Sequence, residues 1–186
     1  MQELSLNVLD IAQNSVRANA TLVTITMEED SAAGTLRISI ADDGCGMSKE
    51  QVARVMDPFT TTRTTRKVGL GIPFFKLTAE ATGGSFSIDS TLGVGTTTTA
   101  FYHTGHIDMM PVGDMVSTMV TLISMNPKMD FVYRHTLDGR EFVLDTREIK
   151  AVLEDVPIDS PEVVLFIRDS LTEGEEGLQN PEPENV

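Results

Sequence analysis

The chain has 186 residues, 40% of them hydrophobic and 23% charged, the ordinary composition of a globular protein with one substantial core. Its net charge of −14 is unevenly placed: residues 1–105 carry 8 basic and 11 acidic side chains, and residues 106–186 carry 6 and 17. This balance lacks the basic footprint that nucleic acid or an anionic membrane surface requires, and the single Cys45 excludes an internal disulfide or a cysteine metal cluster.

In chain order, residues 3–18 carry apolar side chains at helical spacing: Leu4, Val8, Ile11 and Val16, broadened by Leu6, Leu9 and Ala12. Thr21 to Met27 alternates and is rich in β-branched residues, which predicts a strand. Glu28 to Gly34 is polar and turn-like, and Thr35 to Ala41 completes a hairpin. Ser48 with Gln51 three residues on is a capping box, so a short helix is expected to about Val55. Residues 57–71 are rich in threonine and charge and have no apolar period, as in a mobile loop. A helix follows from Ile72 to Ala81, with Pro73 in its first turn and Gly83-Gly84 as its stop. Strands at about 85–90 and 96–103 flank the turn Leu92-Gly93-Val94-Gly95.

A second region begins near residue 106. Val112 to Met125 suits an amphipathic helix ended by Asn126-Pro127. Phe131 to His135 and Glu141 to Leu144 frame the hairpin turn Leu137-Asp138-Gly139-Arg140, which would extend the first sheet or lend an edge to a partner. Helices are expected at about 147–154 and 161–171, the second with Ser160 as N-cap and Pro161 at its first position. From Gly174 onward Glu, Gly, Pro and Asn dominate, predicting a disordered acidic tail. The organisation expected is therefore 1–105, an accessory α+β region at 106–173, and a tail at 174–186. No apolar run approaches the ~20 residues of a membrane span. The N-terminus has no basic start followed by an apolar core, so a cytoplasmic protein is expected, with which the free thiol agrees.

Four segments carry chemistry. Asp10 and Asn14 stand four apart, on one helix face. Asp42-Asp43-Gly44-Cys45-Gly46-Met47 places a carboxylate at a strand end, before glycines that let backbone approach a ligand. Alone, this stretch reads as a turn. A carboxylate so placed also suits an exocyclic amine such as that of adenine. Gly69-Leu70-Gly71 closes the threonine- and arginine-rich loop just before a helix whose positive end suits an anion. Gly93-Val94-Gly95-Thr96 leads into the last strand of the first region. The glycines of 69–71 do not form a Walker loop, because no Gly-x-x-x-x-Gly-Lys-Ser/Thr is present.

In this order, over residues 4–103, the segments resemble the GHKL superfamily of ATP-binding domains. That superfamily includes sensor histidine kinases, type II topoisomerase ATPase subunits, mismatch-repair ATPases and the ninety-kilodalton heat-shock chaperones. The resemblance implies a Bergerat-type α+β fold: a two-layer sandwich with a mixed, mainly antiparallel sheet and helices on one face. It implies ATP and Mg²⁺ as ligands. Asp42 would bind the adenine amine, Gly44, Gly46 and Met47 would shape its pocket, and Thr97 or Thr98, with Thr97 preferred, would reach it. Asn14 would hold Mg²⁺. Residues 57–71 would form an ATP lid, with Gly69, Leu70 and Gly71 at its phosphate hinge and Arg63 and Lys67, together with Arg17, near the phosphates. Asp10 stands where the superfamily usually carries Glu, which activates water or assists phosphoryl transfer; the shorter side chain argues against strong hydrolysis.

Within the superfamily, Arg17 and the run Asp57-Pro58-Phe59-Thr60-Thr61-Thr62-Arg63 look kinase-like, and the rhythm of Asn14 to Thr21 resembles the mismatch-repair version. The phospho-acceptor hairpin of histidine kinases is not found before the Asn14 helix, so a stand-alone domain acting on a partner protein in bacterial regulation is the expectation. A non-catalytic nucleotide sensor and a hydrolytic switch that forms a homodimer on ATP are the alternatives. Family-level association also brings in an electron-transfer enzyme, such as a hydrogenase, as a class of partner.

Overall fold

A computed structural model describes residues 3–57 and 70–181. Its elements run α1 (Leu4–Arg17), β1 (Leu22–Asp30), β2 (Thr35–Asp42), α2 (Lys49–Met56), α3 (Gly71–Ala81), β3 (Ser85–Thr91), β4 (Gly95–His103), α4 (Met115–Met125), β5 (Asp130–Leu137), β6 (Arg140–Asp145), α5 (Thr146–Leu153) and α6 (Pro161–Gln179). The six strands form one sheet in the order β3-β4-β2-β1-β5-β6. Every pair is antiparallel except β1 with β5, which is parallel. This is the mixed, mainly antiparallel two-layer α+β sandwich that the motifs imply.

Strand alternation decides which side chains meet the helices. Val23, Ile25 and Met27 of β1, Leu36, Ile38 and Ile40 of β2, and Ala100 and Tyr102 of β4 are all buried. They pack with Leu4, Val8 and Ile11 of α1 and with Phe75 of α3. The opposite parity is mostly polar, Phe101 and Val132 being apolar exceptions: Arg37 pairs with Glu28 across β1–β2 at 3.5 Å, and Ser39 Oγ lies 3.2 Å from Thr99 Oγ1 across β2–β4. One face of the sheet is therefore core, and the other carries a polar surface.

The region after residue 105 is part of the same body. β5 pairs with β1, α4 lies against α1, and Met119, Leu122, Phe131 and Leu171 join one continuous core with Leu4 and Ile25. Of the two roles open to the 131–144 hairpin, extension of the sheet is the one observed.

Three local readings are corrected. β1 continues to Asp30, through residues that look turn-like, because Glu28 and Glu29 are paired on both sides and Asp30 with Thr35, and this pairing outweighs their polarity. Helix α4 starts at Met115, later than the expected 112, because Asp114 caps it by accepting from Ser117 N at 2.8 Å. Finally, α6 does not end at residue 171 but runs on to Gln179, through the start of the expected tail.

The packing of α6 explains its length. Leu171 and Leu178 are buried, and Glu175 accepts a hydrogen bond from Tyr133 Oη at 2.7 Å and lies 2.9 Å from Nδ1 of the buried His135. Gly174, which reads as a helix breaker, is a contact residue: a Cβ there would lie 2.3 Å from Cε2 of Phe142 on β6. Gly174→Ala is therefore expected to destabilise the protein by about 1–3 kcal/mol, as overpacking does, although alanine is the better helix former. Urea denaturation checks the sign; an unchanged or raised midpoint would contradict the contact.

Candidate functional site

Five segments meet around a cavity of about 180 Å³ at the end of the sheet. Helix α1 contributes Ile11, Asn14, Ser15 and Ala18, which recur at helical spacing on one face. The end of β2 contributes Ile40 and Asp42, and the following loop Cys45, Gly46 and Met47. Val55 of α2, Ile72 of α3 and Thr96 and Thr98 of β4 complete the wall. The cavity is smaller than the about 300–1,000 Å³ of common small-molecule pockets, so it suits one flat ring system rather than an entire large ligand.

Asp42 is the oriented polar group of this cavity. Its Oδ2 accepts from Ser15 Oγ at 2.6 Å, and its Oδ1 accepts from the Gly44 N–H at 2.9 Å. A carboxylate offers about four lone-pair directions, so two protein donors fix its plane and leave acceptor capacity toward the cavity. Ser15 is buried, and its sequence signal is its place on the apolar stripe of α1 with Leu4, Val8 and Ile11, where a lone hydroxyl implies a buried partner. Neighbouring Asp43 works differently. It accepts from the N–H groups of Thr21 and Leu22 at 2.7 and 2.9 Å and from the Thr21 hydroxyl. Slight burial pushes its pKa up, but these donors outweigh that effect and hold it below the usual carboxylate value. Asp43 ties the end of β2 to the start of β1.

The glycine boxes pack against each other. Gly46 has φ +65°, and a Cβ there would lie 2.0 Å from the Thr91 carbonyl oxygen. Gly95 has φ +145°, and a Cβ there would lie 2.0 Å from the Asp42 carbonyl oxygen. The β3–β4 turn is thus seated on the loop after Asp42, with Gly93 N–H donating to Cys45 O at 2.8 Å and Met47 N–H to Ser90 Oγ at 2.7 Å. Gly44 does not line the cavity; it packs on Ala18, where a Cβ would approach the Ala18 Cβ to 2.7 Å.

Thr98 is buried and lines the cavity, whereas Thr97 does not. Of the two threonines expected near the adenine pocket, Thr98 is the one in this wall. Thr98 pairs with Ile40 and Thr97 with Ala41, and alternation turns only the Ile40 register toward the helices.

Other expected site residues lie around the cavity rather than in its wall. Exposed Asp10 stands one turn before Asn14 and against the first residue of α3, where a Cβ on Gly71 would lie 3.0 Å from the Asp10 Cβ. The α3 N-terminus has no side-chain cap, and its dipole presents partial positive charge beside Asp10 and Ile72. Leu70 precedes α3 and belongs to a surface patch with Phe74 and Leu77, apart from the cavity. Arg63, Lys67 and Gly69, with most of the expected lid, lie outside the described residues.

Asn14 Oδ1 accepts from Arg17 Nη1 at 3.2 Å. A neutral amide oxygen fits Mg²⁺, and a guanidinium and a divalent cation would compete for it. Among the described residues no three His, Cys, Asp or Glu side chains converge as a metal site. A cation at Asn14 would therefore need further oxygens from a bound ligand, as Mg²⁺ takes from phosphates.

Residues 1–105 match the family described as histidine kinase-, DNA gyrase B-, and HSP90-like ATPase. The chain belongs to that family. Its GHKL-type ATPase domain is related in sequence to sensor kinases. A putative sensor protein of Shewanella frigidimarina is 34% identical over 97 residues, 51% of this chain and 15% of that protein. The histidine protein kinase DivJ of Caulobacter vibrioides is 31% identical over 94 residues, 48% of this chain and 16% of that protein. The chain thus spans well under a fifth of the length of these curated relatives.

Among solved structures, the N-terminal domain of a DNA repair protein matches with a TM-score of 0.52 and 15% identity, over 78% of this chain and 53% of that one. The Aquifex aeolicus MutL ATPase domain complexed with ADP matches with a TM-score of 0.50 and 14% identity, over 83% of this chain and 70% of that one. At such identities the likeness is one of fold. Among the described residues no helix is long and apolar enough to cross a membrane.

Proposed function

We propose that this GHKL domain binds ATP with Mg²⁺ and acts as a histidine-kinase-like module that regulates or phosphorylates a partner protein. The observation that carries the nucleotide reading is the Asp42 carboxylate, held by Ser15 and the Gly44 N–H above an apolar wall of Ile11, Ile40 and Ile72. An adenine ring needs this combination: apolar faces for its ring and an anionic acceptor for its amine. Thr98 supplies a hydroxyl on the same wall. The triphosphate would extend toward the uncapped N-terminus of α3, and Asn14 would share a Mg²⁺ ion with it. Arg17 then leaves Asn14 Oδ1 and offers its charge to phosphate. Asp10 lies beside that helix terminus and is the residue we assign to phosphoryl transfer.

The relatives named as sensor proteins and histidine kinases favour the kinase-like branch. The short reach of Asp10 agrees with weak hydrolysis. A hydrolytic switch and a pure nucleotide sensor are distinguished from it by outcome. Incubation with γ-labelled ATP and candidate partners gives label on the partner for a kinase, phosphate alone for a hydrolytic switch, and neither for a sensor.

Titration with a fluorescent ATP analogue, with and without Mg²⁺, tests binding itself; absence of saturable binding would refute the reading. Asn14→Ala is expected to keep adenosine binding and to lose about tenfold or more of ATP affinity in Mg²⁺, as loss of a charge-assisted contact does. An equal loss for adenosine would place Asn14 with the base instead of the cation.

A further inference from the structure

Helices α5 and α6 leave an apolar groove of about 500 Å³ between them, far from the cavity in sequence and lined by none of the same residues. Ile149, Val152 and Leu153 form one wall and Val163 and Phe166 the other. Val152 is 83% exposed and Phe166 58% exposed, and the adjoining Val156 and Leu165 are also exposed. Large apolar side chains so concentrated are a common mark of a docking surface.

Charge decides what docks there. Glu148 and Glu162 line the groove from its two helices. Exposed Glu154, Asp155 and Asp159 lie in the connection between those helices, and none of the three has an ion pair among the described residues. The nearby cations are drawn off by other elements. Arg147 is held by Asp145 at 2.6 Å, Lys150 by Asp130 at 2.8 Å and by the Met129 carbonyl, and Arg168 reaches Ser117 Oγ at 3.4 Å. The groove is thus apolar at its floor and acidic at its rim. A second copy of this chain, at −14, would set acid against acid, and an anionic membrane would be repelled as well.

We propose that the α5–α6 groove binds an amphipathic helix of a partner protein whose apolar stripe is flanked by Lys and Arg. The apolar stripe fills the space between Val152 and Phe166, and the flanking cations meet Glu148 and Glu162. This surface stands independently of the nucleotide reading.

The test uses the full chain and a labelled synthetic amphipathic helix of about 15 residues. One version carries Lys and Arg beside a Leu and Phe stripe, and a control carries Glu in their place. Fluorescence anisotropy is expected to show saturable binding of the basic probe only. Its affinity should fall at least about tenfold in Val152→Ser, in Phe166→Ser and in the double charge reversal Glu148→Lys, Glu162→Lys, and should fall with added salt. All three variants change exposed side chains, and circular dichroism confirms their fold. Equal binding of both probes, or indifference to the charge reversal, overturns the proposal. Two other results would also overturn it by naming a different occupant. One is self-association in sedimentation that Phe166→Ser abolishes; the other is binding to zwitterionic lipid vesicles that the same variant abolishes.

Discussion

Asp42→Ala is expected to weaken binding of a fluorescent ATP analogue by about ten- to a hundredfold, the effect of removing a charged partner from a hydrogen bond worth about 1.5–3 kcal/mol. The size follows from the position. Asp42 is the acidic side chain in the cavity wall, and Ser15 and the Gly44 N–H fix its carboxylate before any ligand arrives. A preoriented acceptor loses little entropy on binding, so its removal costs the full contact. Asp42→Ala also leaves the buried Ser15 hydroxyl without its acceptor, so some loss of stability will accompany it. Asp42→Asn separates the two effects, because the amide keeps an oxygen for Ser15 while it loses the charge. A parity test strengthens the result. Thr98→Val should weaken the same binding, and Thr97→Val should leave it unchanged, because only Thr98 shares the register of Ile40. The reverse pattern would show that the base does not occupy this cavity.

His135→Gln is expected to cost about 3 kcal/mol of stability and to remove a pH dependence from the folded protein. His135 is 2% exposed, yet its Nδ1 lies 2.9 Å from Glu175 Oε2 and its Nε2 lies 3.0 Å from Glu29 Oε1. Two carboxylates ask for a donor on each ring nitrogen, which only the imidazolium provides. Burial alone would push the His135 pKa down, but the hydrogen bonds and charges of Glu175 and Glu29 outweigh it and raise the pKa to about 9. Tyr133 faces the same pair; burial and the charge of Glu175 raise its pKa, so it stays a neutral donor to Glu175.

The linkage has a definite sign. With a folded pKa above the unfolded value, the contribution of His135 is fully present below about pH 6.5 and is lost as pH rises through about 9. Urea midpoints should therefore fall between pH 7 and 9.5 in the parent, and that component should be absent in His135→Gln. The loss should appear first in α6, because Glu175 is what this helix contributes to the cluster. Amide exchange in residues 171–179 that does not rise with the pH-dependent loss would contradict the clamp.

Several positions gathered around the cavity are legible in the sequence because their spacing is local. Asp10 and Asn14 share a helix face through the 3.6-residue period. Gly46 and Gly95 announce backbone that no side chain could follow, and Asp42 sits at a strand end beside them. Parity was harder. Thr97 and Thr98 are equivalent as sequence, and only pairing with β2 shows which one turns inward. Ser15 stands on the apolar stripe of α1, which signals a buried hydroxyl but does not name its partner, because Asp42 lies 27 residues away. Gly174 in isolation marks a helix end; in the folded chain it admits Phe142.

Local patterns carry the family, the order of the elements and the carboxylate and glycine positions around the cavity, since these depend on periodicity within one segment and on turn chemistry. Long-range packing is what joins β5 and β6 to the first sheet, brings Ser15 and Thr98 to Asp42 around one cavity, and clamps α6 through His135. Each of these is a contact between segments far apart in the chain. Strand register and helix docking settle such contacts by burying the apolar face as a whole, and no window of sequence contains both partners.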